Sequence, residues 1–268
     1  LAGLAALAGL GVGAVALPGA LHAQAPLAEV PPALAADVRA FLAAPFTDQL
    51  TGAANGRAVA WVTNTAGRRA VRVATPDASG TWRARTVWEA EGDDGQEIGA
   101  LSLSADGRWL VWVRGGAPNR AGELPNPASD PRGVERAIWT AAVGEGRPAV
   151  LARGASPVSS PDGRRIAYVA SGALVIHDVA QGGDSTRAVR RVALRGGVAS
   201  VSWSADGTKL AFVSTRGTHA IVGAYDLASQ RVTWMEPSTD VDAAPTWSPD
   251  GTRLAFVRTP SQPVETPT

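Results

Sequence analysis

Three histidines, a regularly spaced set of aspartates and one serine flanked by small residues are the groups in this 268-residue chain whose types and spacing could do chemistry. Acyl transfer needs a nucleophile on a Gly-x-Ser-x-Gly turn, where the N–H that follows the serine helps to hold the oxyanion. The nearest match is Gly154-Ala155-Ser156-Pro157-Val158, with Val in place of the second Gly and Pro directly after the Ser. Proline has no N–H to offer, so this serine is not a nucleophile. His177 stands next to Asp178 between apolar neighbours. Without a nucleophile the pair reads as a hydrogen-bonded strand histidine, not a dyad. The chain has no cysteine, which excludes disulfides, thiolate metal sites and thiol nucleophiles. Asp106, Asp162, Asp206 and Asp250 lie 44 to 56 residues apart. A calcium loop gathers its oxygen ligands within about a dozen residues, so these carboxylates are read as turn caps, and no metal or cofactor is expected.

The aspartates mark a repeated phrase: Leu103-Ser104-Ala105-Asp106-Gly107, Ser159-Ser160-Pro161-Asp162-Gly163, Trp203-Ser204-Ala205-Asp206-Gly207 and Trp247-Ser248-Pro249-Asp250-Gly251. A worn copy surrounds Asn55-Gly56, and from Asn55 onward the spacings are 51, 56, 44 and 44 residues. Pro or Ala, then Asp, then Gly suits a type I turn followed by a left-handed residue, which folds two strands back on each other. Each return strand carries large residues on one face (Leu110 and Trp112, Ile166 and Tyr168, Leu210 and Phe212, Leu254 and Phe256) and Ala or Val on the other. A strand apolar on both faces must be covered on both. Blades packed around an axis meet that demand, and the period matches four-stranded propeller blades. The expected fold is all-β, with about five blades of an incomplete seven- or eight-bladed propeller.

Composition agrees with a globular core, at 45% hydrophobic residues with 30 Gly and 19 Pro for tight turns. The net charge of +1 gives no field for nucleic acid or an anionic membrane, and no nucleic-acid partner is expected. Residues 1–25 are small and apolar, hold His22, and end in Ala23-Gln24-Ala25, the pattern of an export signal cleaved after Ala25. A retained anchor or a buried helix is the alternative, which Pro18 and the Gly content argue against, so no stable span is expected after cleavage. The mature protein is then exported, periplasmic or secreted. Residues 26–50 are read as an N-terminal extension with a helix over Pro31–Leu42, and residues 51–268 as the partial propeller. Strands are expected over Val59–Thr63, Ala70–Ala74, Trp82–Trp88, Ala137–Val143, Ala173–Asp178, Val189–Leu194, Ala220–Asp226 and Arg231–Glu236. The last hairpin has no following strands after Val257, which is read as truncation in preference to a closed five-bladed ring.

Residues 115–135 are a Pro-, Gly- and Asn-rich insertion that breaks the blade rhythm. Together with Phe41-Leu42-Ala43-Ala44-Pro45-Phe46 leading into Gly56–Val62, and Arg216-Gly217-Thr218-His219 running into Gly223-Ala224-Tyr225-Asp226, the stretch Gly115–Pro127 resembles the prolyl oligopeptidase family of serine peptidases. The likeness is to its dipeptidyl-peptidase and acylaminoacyl-peptidase-like bacterial members. It implies a propeller over a C-terminal α/β-hydrolase domain that carries the Ser-Asp-His triad and that this chain lacks. It also implies a short peptide substrate, gripped by charged groups at the propeller's mouth. The candidates are Arg120, Glu123 and Asn126 on the insertion, with His219, since a carboxylate pairs with an α-ammonium and a guanidinium with a carboxylate. A solvated surface loop is the plainer account of the three insertion residues, and turn or blade packing that of His219. The paired glutamates with which dipeptidyl peptidases grip the substrate amine are not evident. The chain is read as the noncatalytic propeller portion of an exported serine peptidase whose partner is its own hydrolase domain, with self-association into a homo-oligomer left open. The alternative is a complete TolB-like periplasmic propeller that serves as a protein-binding scaffold.

Overall fold

The computed structural model describes residues 32–42, 44–127, 129, 131, 133, 134, 136–144, 146–179 and 189–261. The leader expected over residues 1–25, and His22 with it, lie outside them. One unit, residues 1–41, contributes most of helix α1 (Pro32–Leu42), which has proline at its first position, where no N–H is needed. No helix among the described residues is long and apolar enough to cross a membrane.

In the second unit, residues 42–268, the regular elements after α1 among the described residues are all β-strands. Its first blade is β1 (Phe46–Gly52), β2 (Val59–Thr65), β3 (Arg68–Pro76) and β4 (Trp82–Glu89). The second is β5 (Ile98–Leu103), β6 (Trp109–Arg114), β7 (Ala137–Ala142) and β8 (Ala149–Arg153). The third is β9 (Ala155–Ser159), β10 (Arg165–Ala170), β11 (Ala173–Asp178) and β12 (Val189–Val192). The fourth is β13 (Gly197–Trp203), β14 (Lys209–Arg216), β15 (His219–Asp226) and β16 (Arg231–Trp234). A two-stranded fifth, β17 (Val241–Trp247) and β18 (Leu254–Thr259), joins the fourth through one parallel pairing, Ala220 with Val241. Within each blade every pair is antiparallel. The blades follow one another in a propeller-like arrangement, the first strand of each touching that of the next, from β1 through β5, β9 and β13 to β17. The first blade takes in Phe46–Leu50, which the sequence reading placed in the N-terminal extension.

The core lies in the seams. Leu110 and Trp112 pack into a cluster with Val62, Val71 and Val73 of the first blade, while Val111 and Val113 face Ile166 and Tyr168 of the third. Leu210 and Phe212 face Ala167, Leu174 and Ile176 of the third blade, while Val213 and Val222 meet Leu254 and Phe256 of the fifth. In every case the large face of a return strand meets the small face of the preceding blade. Leu110, Ile166, Leu210 and Phe212, fully buried among them, each contribute about 1.5–3 kcal/mol. β18 departs from this pattern, with Ala255 and Val257 exposed, because β17 is its only neighbour among the described strands.

Two backbone devices recur. In each turn the fourth residue donates to the first: Gly107 N–H to Ser104 O (2.8 Å), Gly163 to Ser160 (2.9 Å), Gly207 to Ser204 (2.9 Å) and Gly251 to Ser248 (2.8 Å). All four glycines have φ between 66° and 71°. Six residues before each Asp or Asn, a non-glycine residue also takes positive φ: Gln49, Ala100, Ser156, Ser200 and Ala244. Each sits where the register of a blade's first strand shifts by a bulge. These bulges give the worn first copy the same backbone as the rest.

Two turn glycines separate conformational strain from contact. A Cβ on Gly56 (φ 68°) would meet nothing within 4 Å, whereas one on Gly163 (φ 66°) would lie 2.9 Å from both carboxylate oxygens of Asp106 in the preceding blade. Gly56→Ala is expected to cost about 1–2 kcal/mol for the left-handed backbone alone, and Gly163→Ala distinctly more. Urea unfolding of the two variants checks the order, and equal losses would contradict the contact.

Candidate functional site

The repeated turn is a small hydrogen-bonded circuit. The Ser104 hydroxyl donates to Asp106 Oδ1 (2.6 Å) and accepts from Trp109 N–H (3.0 Å), while Asp106 Oδ1 accepts from Arg108 N–H (3.1 Å). The same three bonds recur around Ser160 and Asp162, Ser204 and Asp206, and Ser248 and Asp250. The hydroxyls of Ser204 and Ser248, followed by the N–H groups of Thr208 and Thr252, hold the Asp206 and Asp250 carboxyls down to about 2 from an ordinary 3.8. At Asp162 burial works upward, but the Ser160 hydroxyl, the Arg164 N–H and two nearby arginines outweigh it, and the net shift is downward. In the first blade Asn55 replaces the Asp, and its amide donates to Asp106 O (2.7 Å), tying one blade's turn to the next.

Antiparallel topology divides the connections between two ends. The Ser-x-Asp-Gly turns and the links from third to fourth strands share one end. The β6–β7 insertion and the β14–β15 turn share the other. Arg120, Glu123, Asn126 and His219 are therefore at the same end, but on the second and fourth blades. Asn119 organises the insertion: its side chain accepts from the N–H of Ala121 (2.9 Å) and Glu123 (3.0 Å) and donates to Glu123 Oε2 (2.9 Å). Asn126 accepts from Ser129 N–H through its backbone carbonyl (3.0 Å), Arg120 is exposed, and His219 pairs with Arg216 across the hairpin. The insertion folds back on its base, since a Cβ on Gly116 would lie 2.5 Å from Pro125 Cγ and one on Gly95 2.6 Å from Pro127 Cβ. Beneath it Arg114 donates to Asp94 Oδ2 (2.6 Å) and lies 5.5 Å from the Trp88 ring centre.

His177 is buried in β11, and its Nδ1 has no hydrogen-bond partner, so the hydrogen-bonded role expected from the sequence is not met at that nitrogen. Burial pushes its pKa down, against the pull of Asp178. Among the described residues no cluster of three or more His, Asp or Glu could hold a metal ion.

One concavity is at the opposite end from the insertion. A cavity of about 1140 Å³ opens between the second and third blades and reaches Thr75 of the first, with Asp106 and Asp162 of two turns, the half-buried Trp109, and Arg108, Arg147 and Arg164 in its walls. Arg108 Nε pairs with Asp106 Oδ2 at 3.3 Å. Sequence reasoning missed this site, because its walls come from elements separated by loops of unequal length.

No protein-family model matches the sequence, and no curated protein matches it. Solved structures share its architecture. TolB from Acinetobacter baumannii superposes with a TM-score of 0.50 at 19% identity, over 78% of this chain and 48% of its own. A prolyl endopeptidase gives 0.55 at 14% identity, over 79% of this chain and 32% of its own. A puromycin-hydrolyzing peptidase of Mycobacterium tuberculosis gives 0.47 at 19%, over 82% and 34%. For TolB and the prolyl endopeptidase, at these identities, the likeness is one of fold, the β-propeller. The chain spans about half the length of the TolB structure and about a third of either peptidase's.

The turn carboxylates have a readable acid signature. Asp206 and Asp250 titrate near 2 when folded and near 3.8 when unfolded, so the unfolded chain takes up protons first as pH falls. Their contribution is complete above about pH 4 and lost as pH drops toward 2. The double variant Asp206→Asn, Asp250→Asn should be less stable than wild type at pH 7, with a shallower fall between pH 4 and 2. Urea midpoints across that range check it, and parallel curves for the two proteins would contradict it.

Proposed function

We propose that this chain is the noncatalytic propeller portion of an exported serine peptidase, which admits or positions short peptides for an α/β-hydrolase domain beyond it. The observation that carries this reading is the seated insertion. A loop of this length, folded on its own base at one end of the blades, presents Glu123 and Arg120 at that end. Binding residues concentrate on such loops. Asn119 holds the Glu123 carboxylate in place, where it can receive a peptide's α-ammonium, and the exposed Arg120 can receive a carboxylate or carbonyl. Asn126 and His219, at the same end, are further contacts in this reading. The fold shared with a prolyl endopeptidase propeller supports it. Export rests on the apolar leader and its Ala-x-Ala close.

A second reading, a TolB-like periplasmic scaffold that binds proteins, is favoured by the larger share of the TolB structure that the chain spans, 48% against 32%. The two separate on the gene. A reading frame that continues for about 250 residues with an α/β pattern supports the peptidase, and a stop after Thr268 supports the scaffold. This chain alone is expected to give no turnover of chromogenic peptides and no fluorophosphonate labelling, whereas the longer product labels at one serine. In that product, Glu123→Gln and Arg120→Ala each raise KM about tenfold with kcat little changed. Labelling of the short chain would overturn the reading.

A further inference from the structure

Two seams, the first and the third, are closed at their outer edge by an arginine, and in the second and fourth blades the equivalent position holds Ala149 and Thr233. Arg85 of β4, opposite Val73, reaches across to the second blade and donates to Val143 O (2.5 Å) and Ala142 O (3.4 Å). Arg190 of β12, opposite Ile176, reaches the fourth blade and donates to Leu227 O (3.1 Å). Val73 and Ile176 hold the same register, each preceding the residue that pairs with the first apolar position after the turn. The acceptors are equivalent too: Val143 and Leu227 directly follow β7 and β15, and donate to Arg108 O and Thr208 O, two residues past the turn aspartate. At the seam between the second and third blades the equivalent donor position, opposite Thr140, is Ala149, and the equivalent acceptor is Val179, whose N–H donates to Arg164 O. Ala149 and Val179 both line the 1140 Å³ cavity.

The same seam lacks a second tether. Trp203 donates its indole N–H to Val158 O (3.0 Å) across the third and fourth blades, and Trp247 to Ser202 O (3.3 Å) across the fourth and fifth. The third blade has Ser159 at that position, with a buried hydroxyl that has no hydrogen-bond partner.

We infer that the cavity between the second and third blades is a docking site for an arginine side chain presented by a peptide segment of a partner protein. Its guanidinium occupies the place that Arg85 and Arg190 hold at the flanking seams and donates to the Val179 carbonyl. The Asp162 carboxylate, in the same wall, adds attraction. The half-buried Trp109 offers an apolar surface for the arginine stem, since such stems cover apolar groups while their heads remain polar. Arg108, paired with Asp106, and Arg147 and Arg164 face the same space. They suit the peptide's backbone carbonyls or an acidic neighbour, which selects arginine within a mixed-charge segment over a run of cations. One arginine with its flanking backbone fits a concavity of this size.

The test is titration of the chain with Ac-Gly-Arg-Gly-NH2 and its citrulline analogue, a neutral side chain of nearly the same shape, followed by amide shifts in NMR spectra. Shifts centred on Ala149, Gly163 and Val179, with the citrulline peptide at least about tenfold weaker, are expected. Ala149→Arg supplies the missing clamp from within the chain. It should abolish peptide binding and raise Tm by about 2–4 °C. Ala149→Met, which fills the slot without a donor, should abolish binding without that gain and keeps the test valid if the arginine variant fails to fold. No saturable binding of the arginine peptide at millimolar concentration, equal affinity for citrulline, or wild-type affinity in either variant overturns the inference.

Discussion

A sheet that is apolar on both faces has one way to leave water, which is to lie between two other sheets, and everything else in this protein answers to that demand. Leu110 and Trp112 press on the first blade while Val111 and Val113, on the reverse of the same strand, receive the third. The alternation of large and small fixes which blade stands on which side. It lets neighbours approach closely without gaps, as protein interiors require. Glycine serves the same end once inside a strand: a Cβ on Gly223 would lie 2.7 Å from Phe212 and 3.0 Å from Trp234, the two rings that meet edge to face at 5.7 Å.

Much of this was legible in the letters because it is local. The turn circuit needs Ser, Asp and Gly at fixed offsets, so the phrase announces it, and the return strands follow at once. The third and fourth strands were also readable, as with Ala173–Asp178, which holds its expected bounds. The first strands were harder. Residues such as Phe46–Gly52 carry little apolar alternation, and their identity comes from pairing with β2, a tertiary relation. Cross-seam tethers were harder still. Arg85, Ala149 and Arg190 are equivalent in space, yet they stand 30, 43 and 28 residues after their turn Asn or Asp, because the intervening loops differ in length. No fixed period could align them. The insertion residues were visible as an irregularity, but their seating depends on prolines that close over Gly95 and Gly116.

The seams are thus alike in their apolar filling and unlike in their polar closure. The first is held by Arg85 and by the Asn55 amide, and the third by Arg190 and the Trp203 indole. At the fourth, the Trp247 indole is joined by Asp242, whose buried carboxylate accepts from Arg258 (2.7 and 3.1 Å) and from Val222 N–H of the fourth blade (3.3 Å). That carboxylate also raises the Arg258 pKa through the hydrogen bond. Removal of one partner from so buried a pair leaves an uncompensated charge, which makes it a fixture and not an ornament. The second seam rests on Val111, Val113, Ile138, Ile166 and Tyr168, with the open cavity at its edge.

The left-handed residue in every first strand has a consequence for how such chains diverge. Gln, Ala, Ser, Ser and Ala share that backbone while sharing no letter pattern, and none is β-branched, although β-branched residues are common in strands. A duplicated blade therefore inherits a contour before it inherits a motif. Its neighbours can drift until only the bend remains, and a graft or recombination that shifts the break point by one position would turn the remainder of that strand inside out.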